Sequence, residues 1–182
     1  MYIQKLNNLI LSLLLAFFFA QDLVAKSAAD IEKEVDHAIQ KFEKDIRGGA
    51  KFLSKVKGYL VFPSVIKGGF IVGGKYGEGA LRVNGTTKYY YSMTAASIGF
   101  QAGAQEHSML IAFISETSLN NFIKSNGWEA GVDGSIAVAE WGASKDISSL
   151  SFEKPIVGFI YGEKGLMAGV SIAGTKFQRI AP

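Results

Sequence analysis

The chain has no cysteine, three prolines and two histidines in 182 residues, and each scarcity closes off a class of protein. Without cysteine there is no disulfide framework, no thiolate metal site, no cysteine nucleophile and no cysteine for N-terminal lipidation. His37 and His107 have no His-x-His or helical i, i+4 partner, so no metal site is expected. Few prolines, no low-complexity stretch, 48% hydrophobic and 19% charged residues argue against disorder. Charge of neither sign dominates: the formal net charge is +3 with a pI near 9.0. Removing the first 25 residues leaves it at +3, because Lys5 and Asp22 go together. A balance this mild does not predict nucleic-acid binding. No apolar run reaches the roughly 20 residues needed to span a bilayer.

Glycine is what the chain has in abundance. There are 21, and all but Gly48 and Gly49 lie from Gly58 onward. Each interior glycine costs a helix about 1 kcal/mol relative to alanine, which excludes a helix bundle there. The spacing does not follow collagen's three-residue repeat. The length suits one domain with one core.

Lys5 precedes a charge-free run of 12, Leu9 to Ala20, with small residues after it. That is the form of a secretory signal peptide, cut after Ala25 or, as second choice, Ala20. An uncleaved anchor helix is the alternative. The expected division is 1–25 signal peptide, 26–49 N-terminal amphipathic helix and 50–182 main domain. Export points to a periplasmic or secreted protein of a bacterial envelope, soluble or peripheral to a membrane.

Ile31, Val35, Ala38, Ile39, Phe42 and Ile46 fall at i, i+4, i+7, i+8, i+11 and i+15, one stripe of an amphipathic helix over 28–46. Gly48-Gly49 stops it, and a short helix over 50–56 follows. Beyond Gly58, short apolar or alternating runs between glycines read as strands at 70–72, 80–83, 88–91, 97–102, 109–114, 132–139, 156–161, 166–173 and 176–180. One helix interrupts, with Ser115 as cap, Leu119, Phe122 and Ile123 as apolar side and Gly127 as its close. The fold class expected is α+β. A mostly antiparallel, Gly-rich sheet, sandwich or partly closed barrel, carries the N-terminal helix and one or two further helices. Residues 69–73, 99–103, 127–131 and 165–169 share the form Gly-large-x-x-Gly. On a strand, i and i+4 face one side, so each copy offers either close packing or a bare groove that admits a lipid chain.

Catalytic patterns fail on inspection. Gly69-x4-Gly74-Lys75 imitates a phosphate loop, but Tyr76 stands where Ser or Thr is needed. Ser64-Val-Ile-Lys67 lacks the companion motifs of a Ser-x-x-Lys nucleophile, and Gly169-Val-Ser171-Ile-Ala173 misses the last glycine of a nucleophile elbow. Asp133 and Glu140 are more simply solvated strand-end acids, and His107 reads as part of a polar turn. No catalytic residue and no cofactor is expected.

The charge distribution is more informative. Between Ile46 and Gly77 lie six basic residues, Arg47, Lys51, Lys55, Lys57, Lys67 and Lys75, and no acid. Phe52, Leu53, Val56, Tyr59, Leu60, Phe62 and Phe70 are interleaved with them. Apolar side chains entering a headgroup boundary beside Lys and Arg describe binding to anionic lipid. A solvated helix end followed by a buried strand reads the same residues equally well.

From about Ala50 to Ile180 the chain resembles the SYLF domain family. The resemblance rests on Lys57-Gly58, Pro63, Lys67-Gly68-Gly69-Phe70, Gly73-Gly74, Gly77-Glu78-Gly79 and Arg82. It continues through Gly99-Phe100-Gln101-Ala102-Gly103-Ala104, Gly131-Val132-Asp133, Tyr161 and the segment Gly165 to Gly174. The family's Trp-Ser-x-Pro is replaced by Tyr90-Tyr91-Ser92-Met93-Thr94-Ala95, and its Gly-Pro-x-Gly by Glu140-Trp141-Gly142. Both departures put loop-borne contacts in doubt more than the fold. The resemblance implies binding of phosphoinositide or other anionic phospholipid, without catalysis. With the charge pattern it makes Lys51, Lys55, Lys57 and Lys67 the headgroup contacts, with Arg47 and Lys75 behind them. Phe52, Leu53 and Phe62 would supply apolar lipid contact unless they are core. The expected partner is therefore an anionic phospholipid or membrane surface, not nucleic acid. The alternative is a structural module of the envelope that holds a protein through its first helix or Gly-rich sheet.

Overall fold

The computed structural model describes residues 26–69, 72–98, 105–125, 127–139, 146–149, 153–162, 165–167 and 171–182. The signal-peptide segment 1–25 lies outside them. The apolar stripe becomes helix α1, Ala28–Asp45, which buries Ile31, Val35, Ala38 and Phe42. Ser27 caps it, its side-chain oxygen accepting from the Asp30 N–H at 3.2 Å. Gly48, at φ 82, swings the chain into the short helix α2, Gly49–Leu53. A Cβ at Gly48 would fall 1.9 Å from Asp146 Oδ1, so conformation and contact both require glycine there. Helix α3, Glu116–Lys124, is capped by Ser115 and buries Leu119 and Phe122.

The strands are β1 Gly58–Gly69, β2 Val72–Val83, β3 Thr86–Ile98, β4 Gln105–Phe113, β5 Trp128–Glu129, β6 Ala137–Val138, β7 Ile156–Gly162, β8 Gly165–Leu166 and β9 Lys176–Ile180. They form one sheet in the order β5-β9-β3-β2-β1-β4-β7-β6, with β8 on β7. The named strands pair antiparallel, except β6 with β7. The sheet is curled into a half-barrel, and side chains show which face is concave. Phe62 on β1 and Phe177 on β9 lie three strand spacings apart, roughly 14 Å on a flat sheet. Their rings nonetheless meet at 5.7 Å. Leu60, Phe62, Val65, Leu81, Tyr91, Met93, Met109, Ile111, Ile160 and Phe177 fill this concave side together with Phe122 of α3.

The opposite, convex face receives α1 and α2. Ile31, Val35, Ala38, Phe42, Phe52 and Leu53 pack there on Val61, Ala80, Leu110, Ala112, Phe159 and Tyr161. The Tyr161 hydroxyl donates to the Ala38 carbonyl at 3.0 Å, and Arg82 Nη2 donates to Glu32 Oε2 at 2.7 Å and Asp36 Oδ1 at 2.6 Å. Tyr90 donates to Glu32 as well, at 2.8 Å. Burial pushes Glu32 up, but hydrogen bonds from hydroxyls including Tyr90, with Arg82, outweigh it and hold its carboxyl below the ordinary value. The helix is thus part of one body with the sheet.

Two strand assignments need correction. Of 132–139 only Ala137–Val138 is strand. Gly131 has φ 92, its N–H donates to the Gly134 carbonyl, and Asp133 Oδ2 accepts from the Glu129 N–H at 2.7 Å, which ties the preceding residues into a turn. Of 166–173, Leu166 ends β8 and Ala173 stands in a turn. A groove at 127–131 fails for the same reason, because Gly127 has φ 104. Parts of the other three Gly-large-x-x-Gly copies lie outside the described residues, as do Phe70-Ile71 and 99–102.

Candidate functional site

The six basic residues separate into two groups. Arg47 follows α1, Lys51 is on α2, and Lys55 and Lys57 lie in the turn leading into β1; all four are exposed. Lys67 and Lys75 face each other across the β1–β2 hairpin, at the far end of β1. Nine residues of strand separate Lys57 from Lys67, roughly 30 Å at the usual rise. They do not form one patch.

At the α2 end, folding brings acids that the linear run lacks. Lys57 Nζ lies 3.7 Å from Glu116 Oε1, and Lys55 Nζ donates to the Ser148 carbonyl at 3.0 Å. Asp146 approaches Gly48 and accepts from Ser148 Oγ at 2.7 Å and Ser148 N at 2.9 Å. Those two bonds, then Arg47 and Lys51, hold its carboxyl below the ordinary value. Among the described residues, Glu116 and Asp146 are the carboxylates that approach these four cations from elsewhere in the chain.

The apolar contacts expected beside them are corrected. Phe52, Leu53 and Phe62 are 4%, 7% and 0% exposed, and all three are core. Phe52 is edge-on to Phe159 at 5.2 Å on the convex side, and Phe62 packs on Phe177 on the concave side. A short helix preceding a two-faced strand must bury something on each face, and these are the residues it buries. The first helix is likewise unavailable as a docking stripe, since Ile31, Val35 and Phe42 are fully covered.

At the hairpin end the structure adds a residue the sequence reading missed. His107 is in β4, not in a turn, and sits opposite Val65. Two-residue alternation places Val65, Lys67, Lys75 and His107 on the concave face. His107 is 6% exposed, and its Nε2 is buried with no hydrogen-bond partner. Burial, then Lys75 and Lys67, pushes its pKa down. Lys75 Nζ donates to the Ser171 carbonyl at 3.3 Å, and burial with the neighbouring Lys67 lowers its pKa too. The apolar run Met109 to Phe113 marks the second half of β4, and the four polar residues before it carry no strand signal.

Other arrangements carry less. A cleft of about 1050 Å³ runs between α1 and the strands, lined by Lys26, Asp30, Glu34 and His37 opposite Ser64 and Glu106. Its charges are mixed. Ser64 points to the convex side and donates to Glu106, so Ser64 and Lys67 stand on opposite faces and cannot act as a pair. Lys75 belongs to a β-hairpin, not to a strand-loop-helix phosphate cradle. Among the described residues, no group of three or more His, Asp or Glu could hold a metal ion, and no helix is long and apolar enough to cross a membrane.

A half-barrel of antiparallel strands, clasped by an amphipathic helix on its convex face, defines an α+β domain. Residues 94–180 match the family model Ysc84, described as Las17-binding protein actin regulator. The match runs from within β3 to the end of β9 and agrees with the SYLF resemblance of the sequence. Among curated proteins, none matches the chain.

Proposed function

We propose that the protein binds anionic phospholipid peripherally and without catalysis, with phosphoinositide-like headgroups as preferred ligands, and that export on residues 1–25 delivers it to an envelope membrane. The observation that carries this reading is the exposed set Arg47, Lys51, Lys55 and Lys57 around α2. Because Phe52 and Leu53 are core, binding at this end is electrostatic adhesion without deep insertion. The family match supports a lipid or protein ligand; the family's description names the protein Las17.

The test is co-sedimentation with phosphatidylcholine vesicles carrying graded anionic lipid at two salt concentrations. The protein should pellet with anionic vesicles at low salt and be released at high salt. Combined Arg47→Glu, Lys51→Glu and Lys55→Glu should abolish pelleting while leaving the circular dichroism unchanged. Unaltered pelleting of that variant rejects the α2 end as the contact, and a protein ligand then becomes the reading to pursue.

A further inference from the structure

We propose that the chain is processed at the Ala25–Lys26 bond, and that this cut creates an α-ammonium on Lys26 which fastens the start of α1 to the sheet through Glu78. This rests on the export reading above and narrows it to one bond. Two cuts fit the sequence, after Ala25 and after Ala20, each with a small residue on its N-terminal side. The fold favours the first, because a carboxylate stands where that cut alone places a new charge.

Glu78 is half-buried on β2. It alternates with Ala80, which puts it on the convex face that α1 covers. Its Oε1 accepts from the Tyr76 hydroxyl at 2.7 Å and its Oε2 from the Lys26 backbone N–H at 3.3 Å. Burial, then the bond to Glu78 and its charge, pushes Tyr76 up to about 12, so this hydroxyl stays neutral. Among the described residues, these two groups are the donors to Glu78, and both are neutral while residue 25 is attached. Neutral donors compensate a carboxylate withdrawn from water less well than a charged one, whose hydrogen bonds are about twice as strong.

Hydrolysis changes one of these donors. Water adds across the amide: the C–N bond breaks, the hydroxyl goes to Ala25 to complete a carboxyl group, and the hydrogen goes to the Lys26 nitrogen. The amine so formed takes a further proton from solvent at neutral pH, since a free α-amine has a pKa of about 7.7–8.0. A nitrogen already within hydrogen-bond distance of Glu78 thus becomes a cation with three N–H donors. The place is otherwise a poor one for positive charge. Lys26 precedes the Ser27 cap, beside the positive end of the α1 dipole. The Lys26 side chain turns elsewhere, its Nζ donating to Glu34 Oε2 at 2.5 Å, which leaves Glu78 to the backbone nitrogen. Strand β2 then holds α1 at two points, Glu78 at its start and Arg82 at Glu32 and Asp36. Processing and the final docking of α1 are thereby coupled. A cut after Ala20 would put the ammonium on Gln21 and leave residue 26 a neutral amide.

The site is tested by expressing the full chain in an exporting bacterium and weighing the product by intact mass spectrometry. A product of 26–182 is expected; one that begins at Gln21, or an uncut chain, overturns the proposal. The clasp is tested on 26–182 and 21–182, each released from a fusion with its own first residue. In urea unfolding at neutral pH and low salt, the folding equilibrium constant of 26–182 should exceed that of 21–182 by roughly three- to tenfold. Glu78→Gln should remove that difference. Glu34→Gln, which releases only the side-chain ammonium, should leave it in place. Nα-acetylated 26–182 keeps the N–H and loses the charge, so it should match 21–182. Equal destabilisation of both chains by Glu78→Gln, or no loss on acetylation, refutes the clasp. An uncut chain counts against export itself, whereas a cut after Ala25 with no dependence on Glu78 counts against the clasp alone. Vesicle pelleting by the α2 cations, which these variants leave intact, is read separately.

Discussion

Gly79 stands opposite the irregularity in β1 where the register with β2 shifts between Val61 and Ser64. Pro63 lies inside that bulge, a place where a missing N–H costs the ladder nothing. The bulge drives the Val61 carbonyl towards β2, and a Cβ at Gly79 would fall 1.9 Å from its oxygen and 2.9 Å from Phe62 Cδ1. Neither backbone nor a fully buried ring can give way cheaply. Gly79→Ala should therefore cost about 1–3 kcal/mol or more, read as a lowered urea midpoint. His107 offers a second residue-scale test. Its pKa in the folded chain lies below the ordinary imidazole value of 6.5, so the unfolded chain takes up that proton first as pH falls. Stability from this group is present above pH 6.5 and is lost as pH falls from there through the folded value. In phosphate-free buffer, His107→Phe should flatten that acid limb in urea titrations; an identical slope in both proteins refutes the assignment. Nothing in Gln105-Glu106-His107-Ser108 announces this behaviour, because polarity along a strand does not say which face is closed.

At the scale of elements, α1 was legible because its buried stripe repeats every three to four residues for four turns, and no β-pattern competes with that. The cap of α3 by Ser115, and strands β7 and β9, were legible on similar grounds. The run 132–139 was not: its alternation is real, but Gly131 and the Asp133 carboxylate bend the chain before it can pair. Phe52, Leu53 and Phe62 misled for a different reason. An apolar side chain between lysines satisfies both a membrane contact and a core position, and only the partner across the gap decides. For α1 the partner is Phe159 and Tyr161, whose rings lie 5.2 Å and 5.4 Å from that of Phe42. Phe42→Ala should leave a cavity in a fully buried site and cost about 3–5 kcal/mol. Denaturant unfolding followed by far-ultraviolet circular dichroism measures it. A loss below 1 kcal/mol would mean that the helix is not docked on the sheet as described.

The acid-free run looked like one patch because sequence counts residues, whereas the molecule lays them along a strand. Twelve residues of β1 put its two ends beyond several Debye lengths of about 8 Å at physiological salt. Charges at the two ends should therefore act independently, with additive effects on binding. Whole-molecule charge is the rival explanation for any salt-sensitive adhesion, since the chain carries a formal +3. Reversing Arg47, Lys51 and Lys55 takes that to −3, and so does reversing the exposed Lys33, Lys124 and Lys176. The two triple variants thus have the same net charge and differ only in where it is placed. If adhesion is local to α2, removing three attractive charges at about 1 kcal/mol each weakens vesicle partitioning by roughly a hundredfold in the first variant. The second should bind within a few-fold of the parent. Equal loss in both would assign the attraction to net charge alone, and α2 would be a solvated surface with no membrane role.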